Sequence, residues 1–339
     1  MKIRFVSVIL MALWASSVLA QTVFVRDCGQ KSFQGNIPAG NYSGIAHISG
    51  NEYAVVSDKS ATDGFYVFKI DIDSVSGEIN NVENLGFKGG SLINTDCEGI
   101  AYRPSSNTFF ISRESDNSIE EYGADGRATG RKLNVPEIYK KCAGNYGFES
   151  LAYDDESHLF WTINESTLNG DGECATSLNH VRNVLRLQSF NDSLQPVSQY
   201  AYLMDAPVAD RKSSNYAMGV SEITALGGGR LLVLEREFFV PNLKIGAFVQ
   251  CKLYEVEPDK SEPIQADGAI NADTKFMDKQ LVYSFVTRLT LFDWSVANYE
   301  GMCLGPKLID GSRTLILVSD SQNNYGGVLK DWFRTIIIR

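Results

Sequence analysis

The sequence predicts an all-β fold, a β-propeller of five or six blades. Short runs rich in Val, Ile, Leu, Phe and Tyr recur along the chain, and clusters of Gly, Asn, Asp and Ser separate them, as in strands joined by turns. No stretch shows helical periodicity over three turns, which disfavours parallel α/β folds. A two-strand unit also recurs along the chain, and a β-sandwich, the structural alternative, would not explain that repeat.

Each unit opens with an acidic residue before a short apolar strand and closes a second apolar strand with an acidic residue. In the first copy, at positions 42–46, Ser43 stands where the other copies have Glu. A four-stranded propeller blade takes roughly 40–50 residues. The wider spacing of the openers indicates five blades that carry insertions; these openers are Glu98, Glu149, Glu222 and Glu300.

The last unit, from Tyr299 to the C-terminus, is too short for four strands. We expect residues 22–26 to supply its outer strand, so that strands from the two ends of the chain close the ring. The insertions after Leu168 and Cys251 are long enough to hold a sixth blade.

The N-terminus predicts export. Residues 1–20 combine Lys2 and Arg4 with an apolar run and a small-residue cleavage site, which is typical of a secretory signal, with an uncleaved membrane anchor as the alternative. Residues 21–339 then form a single propeller domain in the periplasm or outside the cell. No later segment approaches the ~20 apolar residues of a membrane span. A formal net charge of −10 argues against nucleic acid as a partner, and we expect a monomer.

Six cysteines in an oxidising compartment suggest disulfides. Cys142 and Cys174 flank the two strands of the third unit, one before the first strand and one after the second. Both therefore lie at the same face, and we expect a disulfide between them.

The propeller geometry brings the acidic residues together. The first strand of a blade lines the channel and the second returns antiparallel beside it, so the opener and the closer lie at one face. Carboxylates held close repel one another, and a hard cation with oxygen ligands relieves this; Ca²⁺ tolerates irregular carboxylate geometry best. Arg113 and Arg236 are the other positive groups available. The structural alternative is that each opening Glu caps backbone amides of the next blade.

These motifs resemble the phytase-like family of exported proteins, described as having esterase-like activity of phytase. The resemblance covers about residues 40 to 338, and it rests on DCEGIA (96–101), GFESLA (147–152), VSEI (220–223) with LLVLER (231–236), and NYEGM (298–302) with LVSD (317–320). It implies a β-propeller that hydrolyses a small-molecule phosphoester or other ester through its repeated Glu and Asp. Ser43 departs from the repeated pattern.

The resemblance also implies roles for single residues. Glu165 is the expected general base, and Arg236 or Arg113 would stabilise charge on the phosphate oxygens. The expected Ca²⁺ ligands are Glu98, Glu149, Glu222, Glu300 and Asp320.

Two other functions fit the same pattern. One is a Ca²⁺-dependent lactonase with the cation held at the channel mouth by Glu, Asn and Asp. The other is a non-catalytic propeller that binds a glycan, a lipid headgroup or a protein.

Overall fold

The computed structural model describes residues 21–142 and 147–339. Within these ranges the chain forms twenty β-strands and three short 3-10 helices, at Glu137–Lys141, Pro258–Lys260 and Tyr325–Gly327. No helix in the described ranges is long and apolar enough to cross a membrane. The predicted signal segment, residues 1–20, lies outside the described residues.

The strands form five antiparallel sheets of four strands each. The chain begins with β1 (Phe24–Ser32) and continues through blade 1: β2 (Tyr42–Ser49), β3 (Glu52–Ser57), β4 (Thr62–Ile72) and β5 (Ile79–Ile93). Blade 2 contains β6 (Cys97–Arg103), β7 (Thr108–Arg113), β8 (Ser118–Tyr122) and β9 (Ala128–Lys132). Blade 3 contains β10 (Ala152–Asp154), β11 (Leu159–Ile163), β12 (Val184–Asn191) and β13 (Pro196–Leu203). Blade 4 contains β14 (Asn215–Gly227), β15 (Arg230–Val240), β16 (Ala247–Val256) and β17 (Lys279–Leu289). Blade 5 contains β18 (Asn298–Lys307), β19 (Arg313–Asp320) and β20 (Trp332–Ile338), and takes β1 as its outer strand.

The five inner strands contact one another around a channel, in the order β2, β6, β10, β14, β18 and back to β2. This confirms the predicted β-propeller and gives it five blades. In the described residues, the insertions that follow β11 and β16 add no sixth sheet.

The two ends of the chain close the ring. Strand β1 pairs antiparallel with β20, from Phe24 opposite Ile338 to Ser32 opposite Trp332. Val23 and Arg339 exchange backbone hydrogen bonds of 2.8 and 2.9 Å just beyond these pairs. The prediction of a terminal strand closing the last blade is therefore confirmed, and that strand extends to Ser32.

The apolar core lies between neighbouring blades, because each sheet buries both faces against the next one. Between blades 2 and 3 the rings of Phe110 and Phe160 lie 4.3 Å apart. Between blades 4 and 5 Phe285 meets Tyr299 edge-on at 5.6 Å. The abundant aromatic residues thus hold the blades in register around the channel.

All six cysteines lie in the described ranges, and each is a free thiol. The predicted Cys142–Cys174 disulfide is therefore not present in the structure. Cys142 packs against the apolar cluster between blades 2 and 3, whereas the Sγ atom of Cys174 contacts the carbonyl oxygen of Thr167 at 3.5 Å.

Candidate functional site

A β-bulge at the start of the inner strand directs side chains to one mouth of the channel. In blade 2, Cys97 pairs with Arg113. The next pair joins Ile100 to Ile111, so the inner strand carries one extra residue between the two pairs. The inner strands of blades 1, 4 and 5 carry the same shift at the same step. Bulges re-aim side chains, and this one turns Glu98 toward the channel mouth.

A second side chain reaches this mouth from the end of the second strand in each blade. Together the two positions surround a cavity of about 180 Å³. Eight charged residues at these positions line the cavity, and we call them the mouth ring: Asp58, Glu98, Glu114, Glu149, Glu165, Arg236, Glu300 and Asp320. Ser43 and Ser221 occupy the bulge positions of blades 1 and 4.

Arg236 is the one cation of the mouth ring and connects three blades. Its Nη1 donates to Glu300 Oε1 at 2.5 Å and to Asn298 Oδ1 at 3.1 Å. Its Nη2 donates to Glu165 Oε1 at 2.7 Å and lies 3.6 Å from Glu149 Oε2. Because carboxylates contact both ends of the guanidinium, the main role of Arg236 is to hold the acidic side chains in place.

The mouth ring is strongly acidic, with seven carboxyl groups against one guanidinium. Lys59 adds a cation at its rim, where Nζ lies 2.8 Å from Asp58 Oδ2. Burial raises the pKa of Glu114 to about 7, with a further contribution from Glu165. Burial also raises the pKa of Asp320 to about 7, with a contribution from Asp58. Near neutral pH these two carboxyl groups are therefore partly protonated, and a bound cation would compete with those protons.

The three openers of the mouth ring are affected in the same way. Burial raises the pKa of Glu98, Glu149 and Glu300 well above the usual value for a glutamate. The charge of another ring carboxylate raises each of them further: Glu300 for Glu98, Glu165 for Glu149, and Asp320 for Glu300. Mutual repulsion of this kind is relieved by a proton or by a bound cation.

Three ring carboxylates are close enough to share one cation. Glu114, Glu149 and Glu165 each offer an oxygen within 4.8 Å of the other two. Glu149 Oε2 is buried and accepts no hydrogen bond, which leaves a ligand atom free. An all-oxygen carboxylate set suits Ca²⁺, which takes six to eight oxygen ligands in flexible geometry. The residues present therefore fit the expected cation.

Glu222 is the predicted ligand that lies outside the mouth ring. Its fully buried Oε1 accepts hydrogen bonds from the backbone N–H groups of Leu151 at 3.1 Å and Ile223 at 3.0 Å. The strand register explains this position, because Glu222 pairs with Leu234 and Ser221 is the bulged residue. Glu222 thus has the capping role that was the structural alternative for every opening Glu.

Arg113 also points away from the cavity. Its Nη2 lies 3.0 Å from Glu120 Oε2 and 4.0 Å from Asp63 Oδ2, and it contacts the hydroxyl of Tyr122. Successive residues of a strand face opposite sides, so Arg113 faces side chains of blades 1 and 2 while Glu114 faces the mouth.

Two ring residues were not among the predicted site residues. Asp58 and Glu114 close the second strands of blades 1 and 2, where Glu165 and Asp320 close those of blades 3 and 5. The repeat itself carries the signal that would have found them, namely one charged residue directly after each second strand. Asn298, which donates to Glu300 Oε1 at 2.7 Å, precedes its opener by two residues, as Asn41 precedes Ser43 in blade 1.

A family model described as "Phytase-like: Esterase-like activity of phytase" matches residues 37–325 of this chain. No sequence among the curated proteins matches it. Among solved structures, the chain resembles luciferin-regenerating enzyme at 9% identity and a TM-score of 0.42, covering 90% of this chain and 94% of that one. It resembles streptogramin B lyase at 11% identity and a TM-score of 0.38, covering 92% and 98%. A duf4221 family member from Bacteroides vulgatus has 9% identity and a TM-score of 0.38, covering 94% and 98%. At these scores the likeness assigns no function to this chain. The propeller fold is established by the sheet topology.

Proposed function

This chain belongs to the phytase-like family, and on that premise we propose that it is an exported hydrolase of small phosphoesters or other esters. The reaction takes place at the mouth ring and depends on a divalent cation, Ca²⁺. The observation that carries the proposal is the convergence of seven carboxyl groups and one guanidinium on a cavity of about 180 Å³. A surface made acidic for solubility alone would not gather its carboxylates in a buried cluster with raised pKa values.

The ring carboxylates would hold the cation. Glu149 offers a free buried oxygen, and Glu98, Glu300 and Asp320 are repelled by their neighbours in its absence. Asp58 and Glu114 join this set. When bound, Ca²⁺ would polarise a phosphoryl or carbonyl oxygen and offset the charge that develops on it.

Glu165 is the proposed general base. Burial raises its pKa although the Arg236 guanidinium acts in the opposite direction, so its carboxylate takes up a proton more readily than an ordinary glutamate. The hydrogen bond from Arg236 Nη2 fixes the orientation of this carboxylate. Arg236 is therefore a positioning residue for Glu165, in the way that a third group orients the base in other hydrolytic sites.

The test is turnover by the purified protein with Ca²⁺ on four substrates: an aryl phosphate, an aryl phosphodiester, phytate and a lactone. Glu165→Gln should lower turnover by ~10²–10⁴, the usual contribution of a positioned base, while the protein stays folded. Glu173→Gln, a change at an exposed glutamate outside the mouth ring, is the matched control and should leave turnover unchanged.

The other outcomes separate the alternatives. Lactone turnover without any phosphatase activity would favour the lactonase alternative. Ca²⁺ binding without turnover of any of the four substrates would rule out the hydrolase and leave a binding propeller. Export is tested separately, by sequencing the N-terminus of the secreted protein, which should begin at Gln21.

A further inference from the structure

Two turns at the end of blade 4 expose five large apolar side chains. The turn between β15 and β16, residues 241–246, exposes Leu243 and Ile245. The segment after β17, residues 290–295, exposes Leu291, Phe292 and Trp294. We call these five residues the tip patch. Leu243 is 87% exposed and Phe292 is 98% exposed, so these side chains contribute nothing to the core.

Hydrogen bonds hold the two turns together. The N–H of Gly246 donates to the carbonyl oxygen of Leu289 at 2.7 Å, and Leu289 forms a β-bridge with Trp294. Thr290 Oγ1 accepts from the N–H groups of Phe292 at 3.2 Å and Asp293 at 2.9 Å. The apolar side chains therefore project from an ordered framework, which lowers the entropic cost of burying them in a partner.

The tip patch lies at the same face of the propeller as the mouth ring. Strand β15 passes through Arg236 in the ring and Phe238 in the cavity wall, and it ends at Val240, directly before the first turn. Strand β17 runs antiparallel to β16, so it reaches the same face before the second turn begins.

The segments around the tip patch carry a net positive charge, whereas the whole chain is negatively charged. The sequence has 41 acidic and 31 basic residues. Residues 208–212, 241–246 and 288–295 contain two acidic residues and four basic ones: Arg211, Lys212, Lys244 and Arg288. Arg211 Nη2 donates to the carbonyl oxygen of Gly246 at 3.3 Å, which joins the first of these segments to the turns.

We propose that the tip patch docks the protein onto an anionic lipid bilayer. Trp, Phe and Leu at the ends of projecting turns are the side chains that enter the interface between headgroups and acyl chains. Lys and Arg beside them remain at the headgroup level and are attracted to acidic lipids. Docking in this way places the mouth ring on the membrane side of the propeller. Lipid binding requires no turnover, so it can be tested independently of the hydrolase activity.

The experiment measures co-sedimentation of the protein with vesicles of phosphatidylcholine, alone or containing about one third phosphatidylglycerol. We expect binding to the anionic vesicles, with a blue shift of the tryptophan emission as Trp294 leaves water. The Leu291→Ser/Phe292→Ser variant should bind about tenfold more weakly or worse. Lys212→Glu/Arg288→Glu should remove the preference for anionic vesicles. All four side chains are exposed, so these variants should fold normally.

Ile309→Ser is the matched control, because Ile309 is 77% exposed in a turn of blade 5 that contacts Ser74, outside the tip patch. It should bind vesicles as the unaltered protein does. Absence of vesicle binding, or an equal loss in the Ile309 variant, would overturn the proposal. Sedimentation of the unaltered protein as a dimer that Leu291→Ser/Phe292→Ser dissociates would also overturn it, by assigning the patch to a second copy of the chain.

Discussion

At the scale of single residues, the mouth ring depends on Arg236. Its guanidinium is buried, and it contacts carboxylates from blades 3 and 5 while belonging to blade 4. A planar fork can serve several oxygens at fixed directions, which a lysine ammonium cannot do. One side chain thus sets the positions of Glu149, Glu165 and Glu300.

Arg236→Met should destabilise the cation-free protein by about 3–5 kcal/mol, because it leaves buried carboxylates without their partner. Arg236→Lys should recover part of that loss and still have lower turnover than the unaltered protein, since the orientation of Glu165 is lost. Urea unfolding and turnover on the same preparations test both statements. Equal stability of the Met variant and the unaltered protein would contradict this role.

Glu222 gives the opposite expectation. Burial raises its pKa well above the usual range for a glutamate, and its Oε1 accepts hydrogen bonds from backbone amides, a role that an uncharged amide oxygen can also fill. Glu222→Gln should therefore change stability little. Glu222→Ala should cost about 1–3 kcal/mol, because it leaves buried N–H groups unpaired. Thermal unfolding with and without Ca²⁺ separates this from a ligand role, which would require both variants to lose their response to Ca²⁺.

At the scale of elements, the inner strands determine how closely the openers approach. Gly99 follows Glu98 on β6, and a Cβ atom there would lie 2.7 Å from the Leu151 nitrogen and 2.8 Å from the Glu149 carbonyl oxygen. Gly44 is similarly close to blade 2, where a Cβ atom would lie 2.4 Å from the Glu98 carbonyl oxygen. The glycines that follow the bulges of blades 1 and 2 therefore allow neighbouring inner strands to touch.

Gly99→Ala should destabilise the protein by about 1–3 kcal/mol, the usual cost of overpacking. It should also weaken the stabilisation by Ca²⁺, because pushing β6 away from the segment that precedes β10 separates Glu98 from Glu149. Ser150→Ala, at the position that follows Glu149 and already holds a Cβ atom, is the control and should leave the Ca²⁺ response in place. Chemical unfolding at several Ca²⁺ concentrations measures both effects, and a Gly99 variant as stable as the unaltered protein would contradict the packing argument.

At the scale of the whole molecule, five blades meet at one charged cavity, so the stability of the propeller is coupled to protons and cations. Glu114 faces Glu165, Asp96 and Lys59. Asp320 faces Asp58, Arg236 and Asp331. Both carboxyl groups have folded-state pKa values of about 7, above the usual values of 4.5 and 3.8. The folded protein therefore holds protons that the unfolded chain releases between these limits.

This coupling gives a pH dependence with a defined sign. The stabilisation from the raised pKa values is complete below about pH 4 and is lost as the pH rises through about 7. In a chelator, the melting temperature should fall between pH 5 and pH 8, roughly the window of these shifts. Ca²⁺ should raise it more at pH 8 than at pH 5, because the carboxylates are then free to bind.

Scanning calorimetry at the two pH values, with Ca²⁺ or chelator, tests this expectation. Glu114→Gln should reduce both the pH dependence and the Ca²⁺ response. A melting temperature that rises toward pH 8 in chelator, or one that ignores Ca²⁺ at both values, would contradict it.

The sequence by itself determined the all-β class, the repeated unit and the closure by the terminal strand, because strand alternation and turn residues are local signals. It also placed acidic openers and closers at one mouth, since antiparallel strands of known order bring these ends together.

Only the tertiary structure decided which residue of each opener faces the mouth. A one-residue bulge places Glu98 and Glu300 in the ring, whereas the same shift in blade 4 makes Ser221 the bulged residue and turns Glu222 to the backbone amides. Strand side chains alternate with a period of two, so a shift of one residue moves a side chain to the other face. Alignment on the apolar residue after each opener, Ile100 with Ile223, would have shown this offset. The contacts of Arg236 with three glutamates had no such signal, because they join blades that are distant along the chain and meet only when the ring is closed.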